Sequence, residues 1–136
     1  MIKYDFSGQV ALVTGGTRGI GAAVSSALLQ AGACVIATYA GNSAAAEEFA
    51  AAQGDLRNRL ELHCFDVSDY AAAEAFFRQF DLSHDRLDIL VNSAGIRQDA
   101  VVAMLPEEQW QRVLAVNLNG AFNMAKMSVL RMMRNR

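Results

Sequence analysis

The sequence predicts an α/β fold: a doubly wound parallel sheet of four strands and four helices, with strand order 3-2-1-4. Three observations lead there. Apolar, β-branched runs alternate with Ala-rich stretches of helical period along the whole chain. The strands read as near-continuous apolar runs, the pattern of strands covered on both faces by crossover helices. A glycine-rich turn stands directly between the first strand and the first helix.

The first strand is Gln9 to Thr14 (QVALVT), followed at once by GGTRGIG and a helix on which Val24, Ala27 and Leu28 recur at helical spacing. Gly32 stands at the expected C-cap. The second strand is Ala33 to Thr38, and a loop runs from Tyr39 to Ser43. Ser43 and Glu47 bracket the start of a second helix that ends near Gly54. The third strand spans Leu60 to Val67, and Ser68 or Asp69 caps a third helix reaching about Phe80. Leu87 to Asn92 is the fourth strand. The last helix opens near Pro106, with Glu107 and Glu108 in a first turn that favours negative charge. It runs toward the chain end. Trp110, Val113, Leu114, Phe122, Ala125, Val129 and Met133 form its apolar stripe, buried or partner-facing. Arg131, Arg134 and Arg136 complement the dipole at its end.

Length and composition exclude several classes. A chain of 136 residues is about one domain, and no linker or repeat divides residues 1–136. Twelve basic against fourteen acidic residues leave a net charge of −2, with no basic excess to coat a nucleic acid and no polybasic stretch for an anionic membrane. No apolar run approaches the roughly 20 residues of a membrane span, and the N-terminus lacks a signal-peptide layout. A cytoplasmic location is expected. Cys34 and Cys64 lie in apolar runs without C-x-x-C spacing and read as buried, reduced thiols. No metal site is expected.

The glycine loop carries the chemistry. Gly15, Gly19 and Gly21 form T-G-x-x-x-G-x-G at the strand-to-helix junction. Lacking a Cβ, Gly15 can make the tight turn, Gly19 can let the backbone approach a pyrophosphate, and Gly21 can let helix and strand pack. The helix N-terminus then offers free N–H groups to the phosphates. Such a loop in a βαβ unit makes this a Rossmann-type dinucleotide site. An acidic residue at the end of the second strand would bind a ribose 2′-hydroxyl. That stretch reads Ala37-Thr38-Tyr39-Ala40-Gly41-Asn42, without a carboxylate. Arg18 inside the loop can make a forked contact to a 2′-phosphate, so NADP(H) is expected over NAD(H). Asn42 and Ser43 are lesser candidates for the same phosphate.

With these residues the sequence resembles the short-chain dehydrogenase/reductase family. The motifs are Thr14-Gly15-Gly16-Thr17-Arg18-Gly19-Ile20-Gly21, Asp66-Val67, Asn92-Ser93-Ala94-Gly95, and Asn117 within Val116-Asn117-Leu118-Asn119. The resemblance covers the whole chain but only about the N-terminal half of such an enzyme. It implies that Asp66 holds the adenine amino group while Val67 packs on the ring. A carboxylate at a strand's C-terminal end can accept from an exocyclic amine, although Asp66 could equally cap a helix. Asn92 to Gly95 resembles the family's Asn-Asn-Ala-Gly, with Ser93 in place of the second Asn. There it shapes the floor near the nicotinamide ribose; the same residues also suit a plain turn. A mid-helix Asn117 is intrinsically unfavourable unless it faces solvent or has a task. In the family this Asn distorts the helix and holds the catalytic lysine's proton relay through a main-chain carbonyl and a water. Gly95-Ile96-Arg97-Gln98-Asp99 with Met104 resembles a stretch of 3-oxoacyl-[acyl-carrier-protein] reductases, shared by acetoacetyl-CoA reductases. Arg97 and Gln98 depart from their Thr-Arg.

The family's catalytic Ser and Tyr-x-x-x-Lys are missing. Four residues after Tyr4, Tyr39 and Tyr70 stand Gly8, Ser43 and Glu74. Lys126 has no tyrosine at that spacing and reads as a solvated face residue. His63 and His84 form no plausible relay. The leading expectation is therefore the N-terminal portion of an NADPH-dependent carbonyl reductase of fatty-acid synthesis, acting on an acyl thioester when full-length. The chain alone is expected to be inactive, and a homo-oligomer is expected to form through the last helix. The alternatives are a binding-only or non-functional nucleotide-binding chain, or an acetoacetyl-CoA reductase. The fourth strand, Leu87 to Val91, is an expected aggregation site wherever its edge is bare.

Overall fold

The computed structural model describes residues 1–135; the expectation for Arg136 lies outside them. The elements are β1 (Val10–Thr14), α1 (Gly19–Gln30), β2 (Cys34–Tyr39), α2 (Ser43–Ala51), β3 (Leu60–Cys64), α3 (Tyr70–Ser83), β4 (Ile89–Asn92), α4 (Glu107–Leu114) and α5 (Gly120–Met132). A π-helical segment, Ala115–Asn119, joins α4 to α5, so the expected single last helix is split. All strand pairs are parallel and the order is β3-β2-β1-β4, as expected. Chain order reverses around β1, and ligands bind at the carboxyl ends of strands beside such a switch.

The local chemistry explains where each element stops. Gly32, at φ 99°, ends α1, and the N–H of Ala33 donates back to the Leu28 carbonyl (3.0 Å). Asn42 caps α2 by accepting from the Ala45 N–H (3.0 Å), so Ser43 is a first-turn residue rather than the cap. Asp69 caps α3 through the Ala72 N–H (3.1 Å); Ser68 does not. The third strand ends at Cys64, short of Val67. Asp66 pulls the chain out of the sheet, its Oδ1 accepting from the Ser68 N–H (2.9 Å) while its carbonyl accepts from the Asp69 N–H (3.0 Å).

Two apolar layers flank the sheet. Val10, Leu12 and Ile36 pack with Phe76, Phe77, Phe80, Met124 and Met127 from α3 and α5. Ala11, Val13, Val35 and Ala37 pack with Leu28, Leu29 and Ala50 from α1 and α2. Burial on both faces holds for β1 and the body of β2. It fails for β3 and β4, which are largely half-exposed because they form the edges.

Three further expectations are corrected. Cys34 and Cys64 are free but exposed, because they sit at opposite ends of their strands, where the covering helices do not reach. On α1, Ala27 faces solvent and Ser25 takes its place on the buried face. Of the two readings of the last helix's stripe, burial fails for Trp110, Phe122, Val129 and Met133, which are exposed, while Val116, Asn123, Met124, Met127 and Ser128 face inward. The π-segment adds a residue to the turn and rotates the helix faces on either side of it. Arg131 does more than meet the dipole. It makes a forked ion pair with Asp81 of α3 (2.7 and 2.9 Å) and lies over the Phe77 ring.

Candidate functional site

A cleft of about 500 Å³ opens at the carboxyl ends of the strands. The glycine loop forms its floor. Gly15, at φ 60°, turns the chain after β1, and a Cβ there would lie 2.9 Å from the Ala94 Cα. At Gly21 a Cβ would strike the Gly15 carbonyl oxygen, so α1 meets the loop itself rather than the strand expected from sequence. This is a cradle that side chains would fill, and it leaves backbone N–H groups of the loop and of the first turn of α1 free to meet phosphate oxygens. A pyrophosphate fits that donor set. Thr17, Arg18, Gly19 and Ile20 complete the rim. Gly16 faces inward instead: its carbonyl accepts from the buried Ser25 hydroxyl (2.9 Å), and a Cβ there would meet Val13 and Ala37.

Thr14 ties this loop to the next. Its Oγ1 accepts from the N–H groups of Ser93 and Ala94 (3.1 Å each), which places Ser93, Ala94 and Gly95 on the cleft wall. Asn92 stands at the end of β4 outside the lining, its Nδ2 3.4 Å from the Ala121 carbonyl.

Asn117 lies inside the π-segment and reaches across to the loop after β4. Its Oδ1 accepts from the Ile96 N–H and its Nδ2 donates to the Ile96 carbonyl, both at 2.8 Å. One side chain thereby satisfies both backbone groups of a residue in an irregular segment. Asn117 does not line the cleft itself; Ile96 and Val116 do.

Beyond the end of β3, Asp66 and Val67 line the cleft. Asp66 is not a helix cap. Its Oδ1 accepts from the Ser68 hydroxyl (2.7 Å) and its Oδ2 pairs with Arg112 (2.6 Å). Burial pushes the Asp66 carboxyl up, but the Ser68 hydrogen bonds and the Arg112 guanidinium outweigh it and hold the group below the ordinary aspartate range. Arg112 lines the cleft and sequence reasoning missed it. A surface arginine on an amphipathic helix carries no signal of a carboxylate many residues away.

Arg18 is exposed at the N-cap of α1 and has no carboxylate partner among the described residues. Thr38, Tyr39, Ala40 and Gly41 line the cleft opposite, again without an acid. Asn42 lines it as well, with its carbonyl oxygen committed to capping, whereas Ser43 does not.

Lys126 is not merely solvated. Its Nζ donates to the Tyr70 hydroxyl (3.1 Å) and lies 5.3 Å from that ring's centre, joining α5 to α3 outside the cleft. His63 and His84 stand 3.5 and 2.9 Å from Glu61, also outside it. Among the described residues no cluster of three His, Cys, Asp or Glu could hold a metal, and no helix is long and apolar enough to cross a membrane.

A family model described as short chain dehydrogenase matches residues 9–136. Acetoacetyl-CoA reductase of Paracoccus denitrificans is 44% identical over 116 residues, covering 85% of this chain and 46% of the relative. The 3-oxoacyl-[acyl-carrier-protein] reductase of Escherichia coli is 34% identical over 134 residues, 97% of this chain and 52% of the relative. A solved Serratia marcescens short-chain dehydrogenase/reductase, a double mutant, superposes with a TM-score of 0.87 at 35% identity, covering 95% of this chain and 53% of that one. The chain spans about half the length of the curated relatives it matches.

Proposed function

This chain belongs to the short chain dehydrogenase family, and we propose that it is the NADP(H)-binding portion of a reductase for 3-oxoacyl thioesters. The observation that carries the reading is the cleft itself. A glycine cradle contains the exposed Arg18, and the facing end of β2 offers no carboxylate to a ribose 2′-hydroxyl. Gly15, Thr17, Gly19, Ile20 and Gly21 would hold the pyrophosphate, and Arg18 with Asn42 would meet the 2′-phosphate. Asp66 would accept from the adenine amino group beside Val67. Ser93, Ala94 and Gly95 would seat the nicotinamide ribose. When bound, the cofactor supplies hydride from nicotinamide C4.

Asn117 is assigned to the same machinery through Ile96: it holds the backbone of the wall next to the reacting ring. The thioester class is supported by relatives of both kinds, acetoacetyl-CoA reductases and acyl-carrier-protein reductases, each matching most of this chain. The higher identity of the former favours a CoA thioester over the acyl-carrier-protein substrate expected from sequence. No tyrosine here stands four residues before a lysine, so the protonating group of the family's reaction is absent from these residues. The exposed apolar residues of α4 and α5 are assigned to contact with a second copy.

Fluorescence titration with NADPH and NADH tests the cofactor reading. NADPH is expected to bind about 10-fold more tightly, and Arg18→Ala to bring the two within about 2-fold, as for loss of one charge-assisted contact. Equal affinities in the unaltered chain refute the NADP(H) assignment. Ketone-dependent NADPH oxidation is expected to stay at background.

A further inference from the structure

Arg112 closes a ring of three side chains at the adenine end of the cleft. Its Nη2 donates to Asp66 Oδ2 (2.6 Å) and its Nη1 to the Ser68 hydroxyl (2.9 Å). That hydroxyl donates to Asp66 Oδ1 (2.7 Å), which also accepts from the Ser68 N–H (2.9 Å). The ring joins α4 to the turn after β3, two elements that sequence separation keeps apart. The same turn is gripped from α5. Asn123, buried, donates to the Val67 carbonyl (2.9 Å), and Gly120 lets the Val67 side chain come so close that a Cβ there would lie 2.5 Å from its Cγ2.

The donor count at Asp66 is what matters chemically. A carboxylate offers about four lone-pair positions. Three are filled by Ser68 and Arg112, and the one left belongs to Oδ2. A carboxylate on an exposed turn normally rotates about its last torsion, which is broad and roughly two-fold. The fork from Arg112 and the two bonds from Ser68 remove that freedom.

We propose that Arg112 is a positioning residue of the nucleotide site, fixing Asp66 so that its one free lone pair selects a 6-amino purine over a 6-oxo purine. This rests on the dinucleotide reading of the cleft. An adenine amine donates to the free position of Oδ2. A hypoxanthine presents a carbonyl there, so two acceptors face each other and neither is satisfied. Arg112 spends two of its five N–H groups on Asp66 and Ser68.

The test is a fluorescence titration of the full chain with NADPH and with its hypoxanthine counterpart, both of which carry the reporting reduced nicotinamide. The unaltered chain is expected to prefer NADPH by about 10-fold, the scale of one charge-assisted hydrogen bond. Arg112→Met is expected to reduce that preference to within about 2-fold, because the freed carboxylate can turn away. A purely structural role for Arg112 would weaken both ligands by the same factor and leave the preference intact, which overturns the proposal. Ser68→Ala opens the ring without removing the cation and is expected to give an intermediate preference; it decides the matter if Arg112→Met does not fold. An unaltered chain that binds NADPH but does not discriminate, or that prefers the hypoxanthine form, overturns the proposal and leaves the nucleotide site standing. Binding of neither ligand overturns both.

Discussion

The two edges of the sheet are built differently. β3 carries the exposed Glu61 and the half-buried His63, and His84 from the end of α3 stands against the same glutamate. The turn before β3 adds two arginines that are tied to backbone carbonyls, Arg57 to Leu60 and Arg59 to Leu29. On β4 the run Ile89-Leu90-Val91 is apolar and half-exposed, and charge flanks it only at Asp88. Charge on an edge strand keeps other strands from joining it, and an apolar edge invites them. One edge is thus closed by chemistry and the other is open. The open edge lies beside α5, with its exposed Phe122 and Val129.

Leu12 and Leu90 give the sharpest measure of that contrast, since they are register partners on neighbouring strands. Leu12 is fully buried and Leu90 is half-exposed. Leu12→Ala is expected to cost about 3–5 kcal/mol, through lost transfer energy and a cavity. Leu90→Ala is expected to cost about 1–2 kcal/mol, because less area leaves water. Urea denaturation reads both, and equal costs would show that β4 is as well packed as the centre.

Asn117→Ala tests the clamp beside the open edge. It leaves the Ile96 N–H and carbonyl to solvent, with an expected loss of about 1–2 kcal/mol in the same assay. Unchanged stability would mean that the π-segment forms without it.

Acid separates the edges next. Asp88, at the entry to β4, accepts from Arg86 and from the Val10 N–H (2.8 Å). The Arg86 hydrogen bond is the main cause holding its carboxyl below the ordinary range, against the opposing effect of burial. A lowered folded-state pKa means that the stabilisation is present above the unfolded aspartate value. It is lost as pH falls through the lower folded value. Asp88→Asn is expected to cost about 1 kcal/mol at neutral pH and to flatten the acid limb of stability against pH. An unchanged limb would assign acid sensitivity elsewhere, with Asp66 the next candidate.

Glu61→Val is expected to change stability least, within about 0.5 kcal/mol. Its effect belongs to association: light scattering on warming should rise sooner, because both edges would then be apolar. No change would mean that β3 is protected by its neighbours rather than by charge.

Much of the cofactor side was legible in the residues. The T-G-x-x-x-G-x-G spacing locates the turn after β1, because only glycine tolerates φ 60° there with the Ala94 backbone 2.9 Å away. Asn117 was visible as a polar residue at odds with its helix, although its partner, the Ile96 backbone, was not. Arg112 and the Lys126–Tyr70 pair left no local trace. Each joins residues far apart in the chain, and an arginine or lysine on a helix surface looks the same whether it is solvated or paired. The apolar runs around Cys34 and Cys64 predicted burial, but a run does not show where the covering helices end.

By itself the sequence determined the order of strands and helices, the parallel sheet and the place of the glycine loop. Those depend on period, β-branching and backbone freedom, which act within a few residues. Only the tertiary structure decided where the strands stop, which face of the last helix looks outward and which side chains hold Asp66. Those depend on what a residue meets across space, and the π-segment at Ala115–Asn119, where a local helix yields to the Ile96 backbone, shows the one level overruling the other.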